Sequence, residues 1–310
     1  MSEEKKESLE RTFALIKPDL FGKPWVEEVL EVVEEGGEPV PVQKVRSDNM
    51  NEEILSRIKT NGFTVVNKKV IRLTKEKAAE FYSMHSHRPF YGELCEFMSS
   101  GNSLALILER ENAIKHWRYM MGDTDSAKAR EHAELEHPMD DNKWSIRALF
   151  GTDKQQNAVH GSDSEFSALR EIEFFFPSPA KLERTFAMIK PDAMKAGLLD
   201  KIIEAIEDIG LFVLDRVETT MTVKQVREFY AAHTSQPWFG EHLAFMTSGP
   251  VCALVLEGLN AQLRWRIAMG PTDPKFAKDV APNSVRARYG TDKGENCVHG
   301  SDSAESAATE

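Results

Sequence analysis

Cysteine is scarce: Cys95, Cys252 and Cys297 are the only three in 310 residues, and no two form a Cys-x-x-Cys pair. That excludes a disulfide framework and a thiolate zinc site, and it fits a reducing compartment. Long apolar runs are absent too. The longest, Leu104–Leu108 and Val251–Leu256, hold five and six residues, against the roughly 20 that a membrane-spanning helix needs. The opening MSEEKKESLE has no apolar stretch and is too acidic for a secretory or mitochondrial leader, so the expected location is cytoplasmic. Positive charge is in deficit, with 39 Lys and Arg against 50 Asp and Glu, a net charge of −11. Such a chain lacks the field that favours nonspecific nucleic-acid binding, so any polyanion must be met by a local basic pocket. Neither a G-x-x-x-x-G-K loop nor a G-x-G-x-x-G fingerprint occurs, which removes the usual glycine-rich phosphate cradle.

What is present is a folded chain with an internal repeat. A composition of 41% hydrophobic and 29% charged residues is that of globular protein, and the length suits two domains of about 150 residues. RTFALIKPD at 11–19 matches RTFAMIKPD at 184–192 in eight of nine positions, and 151–168 matches 290–307 in thirteen of eighteen. The offset between copies falls from 173 at the first motif to 148 at Phe81-Tyr82 against Phe229-Tyr230, then to 139 at the last. Copy one therefore carries 25 extra residues early and 9 more late. Pro177 and Pro179 interrupt regular structure at the junction. The division is an N-terminal tail at 1–10, a first domain at 11–179 with insertions at about 22–50 and 126–146, and a second domain at 180–310 that is short at its C-terminal end.

In copy two, Thr185–Lys190 reads as a strand, and Leu199, Ile202, Ile203, Ile206 and Ile209 recur at helical spacing up to Gly210. Leu211–Thr219 reads as extended, and Thr222 with Gln225 forms a capping box that opens the next helix. A strand at Val251–Glu257, a helix at about 259–269, an irregular Pro-, Gly- and Asp-rich stretch and a late strand into His299 complete the order. The expected fold is α+β: two tandem ferredoxin-like (split βαβ) domains, each with helices on one face of an antiparallel sheet. Within the first insertion, Val26, Val29, Leu30 and Val33 share a helical face before Gly36-Gly37, Pro39 and Pro41. An amphipathic helix and a loop are expected there, packed on their own domain or presented to a partner. The excess within Ser126–Ile146 reads as a solvated loop; His132 and His137 lack a third ligand at metal-binding spacing.

The chemistry lies in what the copies share. Each has a His in a His-Gly-Ser-Asp turn (His160, His299), a Lys at a strand end (Lys17, Lys190) and several Arg residues. Lys17, Arg88, Arg118 and Arg147 could converge with Tyr82 and Thr124 to hold a phosphate, because a guanidinium fork grips two oxygens. A His beside such a cluster is a candidate nucleophile. Glu171 follows His160 by eleven residues, and a carboxylate facing one ring nitrogen fixes the tautomer and leaves the other to attack.

With these residues in view, the IKPD strand end, the HRPFY segment, the MGDT turn and the NAVHGSDS segment resemble the nucleoside diphosphate kinase family over about 11–178 and 184–310. The tandem layout and the SIRALFGTD and EIEFFFPS runs are most similar to the multi-domain, cilium-associated group. The resemblance implies a ping-pong kinase that moves the terminal phosphate of ATP to another nucleoside diphosphate through phospho-His160, with Mg2+ carried on the nucleotide and no metal held by the protein itself. It makes Glu171 the orienting carboxylate and Ser162 the neighbouring hydroxyl. Lys17 and Tyr82 fall near the transferred phosphate; Arg88, Thr124 and Arg147 match phosphate ligands, and Arg118 a charged neighbour. Phe90 matches the ring under the base, and Asn157 with Lys17 the ribose contacts. Stacking without base-edge hydrogen bonds suits any base.

In copy two, Lys190, Tyr230, Arg266, Thr272, Arg286, Asn296, His299 and Ser301 match, and Trp238 replaces the stacking Phe, but Gln236 stands where the family has Arg. The sequence stops at Glu310, the match of the orienting carboxylate, so that group is expected on a fraying end and the second site to be weak or silent. Two readings stay open: an active kinase working on nucleoside di- and triphosphates, or a structural protein of the ciliary axoneme, bound to microtubule proteins, that keeps the fold with little turnover. Neither nucleic acid nor a membrane is an expected partner.

Overall fold

The computed structural model describes residues 9–22, 24–31, 40–137 and 140–310, so most of the expected 1–10 tail, part of the first insertion and residues 138–139 lie outside the described residues. The chain divides into two compact units, Met1–Phe176 and Pro177–Glu310. The first runs β1 (Glu10–Ile16), β2 (Pro24–Glu31), β3 (Val40–Asn49), α1 (Met50–Thr60), β4 (Thr64–Arg72), α2 (Lys75–Phe81), α3 (Tyr91–Ser99), β5 (Asn102–Arg110), α4 (Ala113–Met121), α5 (Ser126–Glu136), α6 (Ile146–Phe150), β6 (Val159–Gly161) and α7 (Glu165–Phe175). The second runs β7 (Leu182–Ile189), α8 (Pro191–Lys195), α9 (Leu199–Asp208), β8 (Phe212–Thr219), α10 (Val223–Phe229), α11 (Phe239–Met246), β9 (Val251–Leu259), α12 (Ala261–Met269), α13 (Pro274–Val280), α14 (Val285–Tyr289), β10 (Val298–Gly300) and α15 (Ala304–Thr309).

Each unit is built on a four-stranded antiparallel sheet of the same order, β4-β5-β1-β6 in one and β8-β9-β7-β10 in the other. The fold is α+β, two tandem ferredoxin-like domains. Helices on one face alone, however, are not what forms. Ala14 and Ile16 of β1 pack with Ile54 and Ile58 of α1 and Trp117 of α4, while Phe13 and Leu15 pack with Phe81 of α2, Leu94 and Met98 of α3 and Phe175 of α7. Successive side chains of a strand point to opposite faces, so the unbroken apolar run Phe13–Ile16 demands cover on both sides. The second unit repeats this, with Ala187 and Ile189 on one side and Met188 on the other.

Three local expectations are corrected. Residues 24–31 form no helix but a strand paired antiparallel with β3, Val29 opposite Val42 and Val26 opposite Val45; β-branched valines suit a strand better than a helix. Ser126–Glu136 is not a loop but a helix, capped by the Asp125 carboxylate accepting from Ala127 N at 3.1 Å and held by Arg130 donating to the carbonyls of Ala148 and Gly151. The stretch after α12 is likewise helical in α13 and α14, begun by Asp273 and Ser284 as N-caps, the role in which short polar side chains satisfy the first free N–H groups. The Thr222–Gln225 capping box is formed in both directions.

Candidate active site

His160 lies in β6, whose pairing with β1 sets it opposite Leu15. Two features fix it there. Ala158 adopts φ 72°, strain for a residue with a side chain, and its N–H donates to Asp19 Oδ2 at 2.9 Å. Gly161 follows because a Cβ there would lie 2.2 Å from Trp117 Nε1, the atom that donates to the His160 carbonyl at 3.3 Å.

The imidazole presents Nε2 to Glu171 Oε2 at 3.1 Å, close but not aligned as a hydrogen bond. Glu171, buried in α7, also accepts from Ser162 Oγ at 2.7 Å, and Arg170 Nη2 lies 3.6 Å from its other oxygen. Phe81 stands edge-on to the imidazole at 5.4 Å. This packing leaves Nδ1 without a hydrogen-bond partner among the described residues.

Two buried cations lie in the same unit. Lys17, at the end of β1, donates to Asn157 Oδ1 at 2.6 Å and to the Gln155 carbonyl at 3.1 Å. Burial, and then the charge of Arg147, push its pKa down to about 8. Arg147 donates from Nη1 to the Gly122 carbonyl at 3.0 Å and to Thr124 Oγ1 at 3.5 Å, and from Nη2 to the Val159 carbonyl at 3.1 Å. Burial, and then Arg118, lower its pKa to about 10. Among the described residues Arg147 has no carboxylate partner, its Nε is buried and unsatisfied, and so is Tyr82 Oη. Burial raises the Tyr82 pKa, so the phenol stays neutral. A buried guanidinium and a buried phenol with unsatisfied atoms cost folding energy unless a ligand completes them, and that pattern makes this the candidate site.

The structure thus brings together Lys17, Tyr82, Thr124, Arg147, Asn157, His160, Ser162 and Glu171. Arg88, Arg118 and Phe90 are exposed, with Phe90 48% accessible, as groups meeting an incoming ligand would be. His85, not singled out from the sequence, links them: its ring is 6.4 Å from Tyr82 and 6.0 Å from Phe90. Burial, and then the charge of His160, lower its pKa. Its repetition as His233 is the signal that could have found it. Arg170 was also missed, because nothing in copy two matches it.

The second unit repeats the geometry. Lys190 Nζ donates to Asn296 Oδ1 at 2.7 Å, and Arg286 donates to the carbonyls of Gly270 and Val298 at 2.9 and 3.0 Å. Burial lowers Lys190 to about 8 and Arg286 to about 10. Thr272 supplies a carbonyl to Asn296, Arg266 donates to the Asp302 carbonyl, and Tyr230 Oη is unsatisfied. The expected fraying of Glu310 is corrected. It caps α15, pairs with His299 Nε2 at 3.1 Å and accepts from Ser301 Oγ at 2.5 Å. Gln236 is exposed in the place of Arg88. Cys297, at φ 70°, has its thiol pushed up to about 12 by burial and then by Asp192, so it carries no thiolate chemistry at neutral pH.

Residues 42–180 and 183–310 each match the family model described as "Nucleoside diphosphate kinase"; the chain belongs to the nucleoside diphosphate kinase family. It is 34% identical over 299 residues to "Thioredoxin domain-containing protein 6" of Xenopus laevis, covering 96% of this chain and 41% of that protein. It is 34% identical over 309 residues to "Nucleoside diphosphate kinase homolog 7" of Rattus norvegicus, covering 94% of this chain and 68% of the relative. Among solved structures, the nucleoside diphosphate kinase of Aquifex aeolicus is 40% identical with a TM-score of 0.40, covering 55% of this chain and 96% of that one. No helix among the described residues is long and apolar enough to cross a membrane.

Proposed function

We propose that the first unit is a working nucleoside diphosphate kinase with His160 as its phosphate carrier. The observation that carries this is the imidazole whose Nε2 faces Glu171 Oε2 at 3.1 Å, with Nδ1 free of a hydrogen-bond partner among the described residues and the Tyr82 ring, its hydroxyl unsatisfied, 6.1 Å away. Nδ1 attacks the terminal phosphorus of magnesium-bound ATP; the N–P bond forms as the bond to the bridging oxygen of ADP breaks, and ADP leaves. A terminal phosphate oxygen of a second nucleoside diphosphate then attacks the same phosphorus, and the N–P bond breaks. Phosphoryl transfer asks the protein for positioning and positive charge more than for covalent chemistry, and Lys17, Arg147, Arg88 and Thr124 provide both. Mg2+ would enter on the substrate's phosphates, whose charge suits the buried cations Lys17 and Arg147. Phe90 offers a face to any base.

The second unit is the weaker site on this reading, because Gln236 removes one charge-assisted phosphate contact, about 1.5–3 kcal/mol or roughly ten- to a hundredfold in affinity. Incubation with ATP labelled in its terminal phosphate tests the proposal. The expected product is an alkali-stable, acid-labile phosphoprotein labelled at His160 and discharged by CDP; no label at His160 contradicts it. A structural role in a ciliary axoneme is favoured by one observation, the β2–β3 pair that the second unit lacks. Co-sedimentation of the full chain with microtubules, lost when 24–49 are replaced by a short linker, tests that role.

A further inference from the structure

The units differ at a polar side chain outside the phosphoryl-transfer machinery. His242 in α11 takes the place of Leu94 in α3, four residues after Trp238 and Phe90 respectively. Residues four apart share a helix face, and the His242 ring lies 5.7 Å from Trp238 and 4.5 Å, perpendicular, from Tyr230. The Tyr230 ring is in turn 6.1 Å from His299. A row of rings therefore runs from the half-exposed Trp238 to His299, with His242 in its middle.

Leu94 is an ordinary core residue. His242 is not, because its Nε2 is buried and has no hydrogen-bond partner, like the Tyr230 hydroxyl beside it. Such an unsatisfied buried group is destabilising and calls for an explanation. The groups facing it are Lys190 at the end of β7, His233 after α10, His299 on β10 and the neutral Tyr230 at the end of α10. Burial first, and then Lys190, His233 and His299, hold the imidazole down to about 4, so it is neutral in the free protein.

We propose that His242 is a nucleotide-contacting residue of the second unit, which takes up a proton as the phosphates of a nucleoside diphosphate enter and supplies the cationic donor that Gln236 does not. The inference rests on reading the second unit as a nucleotide site. An arriving polyphosphate offsets the positive field that adds to burial in keeping the imidazole neutral, so binding and protonation reinforce one another and affinity is greater in acid.

Trp238 is half exposed and sits in the row of rings, Trp265 of the same unit is fully buried, and Trp25, Trp117 and Trp144 belong to the first unit. The full-length chain, its His242→Leu variant (the first unit's own residue) and His242→Gln are titrated with ADP from pH 5.5 to 8.5 by tryptophan quenching. Trp238→Phe assigns the signal, and calorimetry counts ADP per chain. Comparing variants at each pH cancels the titration of ADP itself. The expected result is wild-type affinity at the Trp238 site about tenfold above both variants near pH 6, converging near pH 8. A wild-type advantage independent of pH, or no advantage, overturns the proposal. So does the absence of quenching with one ADP bound per chain. Phosphate transfer through His160, assayed in the same samples, judges the kinase reading separately.

Discussion

Glu171 Oε2 lies 3.1 Å from His160 Nε2 and accepts from Ser162 Oγ at 2.7 Å, so one carboxylate oxygen orients both the ring and the adjacent hydroxyl. Glu171→Gln keeps the shape and removes the charge. Phosphoryl transfer is expected to slow by about ten- to a hundredfold, because the imidazole and Ser162 both lose the charge that faces them, with phospho-His160 forming more slowly in a rapid-quench assay. An unchanged rate of label transfer counts against an orienting role.

Arg147 ties the Gly122 and Val159 carbonyls together from two nitrogens, which a single ammonium cannot do. Arg147→Lys is expected to lower the melting temperature and to raise the Kd for ADP about tenfold or more. Differential scanning calorimetry and isothermal titration separate the two effects.

Lys17 makes the protein pH-dependent in two opposite senses. Its pKa is depressed from 10.5 to about 8. Below pH 8 it is charged in both the folded and the unfolded chain. Between about 8 and 10.5 the unfolded chain keeps a proton that the native one has lost, so Lys17 contributes increasing stability across that window. Nucleotide binding goes the other way, because phosphates need the ammonium: ADP affinity of the first unit is expected to fall above pH 8 by up to about tenfold per pH unit. Lys17→Met should bind more weakly and show a flattened profile.

Gly161 is a packing requirement of β6, the strand that carries His160. A methyl group on its Cα would stand 2.2 Å from Trp117 Nε1, so Gly161→Ala must displace Trp117 or β6. A loss of about 1–3 kcal/mol by urea unfolding is expected, together with reduced turnover, because the same indole bonds the His160 carbonyl.

The repeated residues were the readable ones. Lys17 with Lys190 and His160 with His299 recur in both copies, and the Thr222–Gln225 spacing shows the capping box within copy two alone. The two-faced sheet was less readable, since Phe13–Ile16 shows burial as a continuous apolar run but not which helices cover each side. Asp125, Asp273 and Ser284 look like loop residues and act as helix caps, because capping and turn-forming draw on the same short polar side chains. Val26, Val29, Leu30 and Val33 satisfy helical spacing, yet Val26 and Val29 sit in a strand opposite Val45 and Val42. His242 becomes visible only when α11 is set beside α3 and its burial is known.

The most direct test of the central claim is phosphate transfer from ATP to a second nucleoside diphosphate, with acid-labile phosphate on the protein followed in parallel, in the wild type, His160→Ala, His299→Ala and the double mutant. The account predicts that His160→Ala removes most transfer and most of the label, and that His299→Ala changes either only slightly. Equal transfer in the wild type and the double mutant, or none in any of the four proteins, contradicts it.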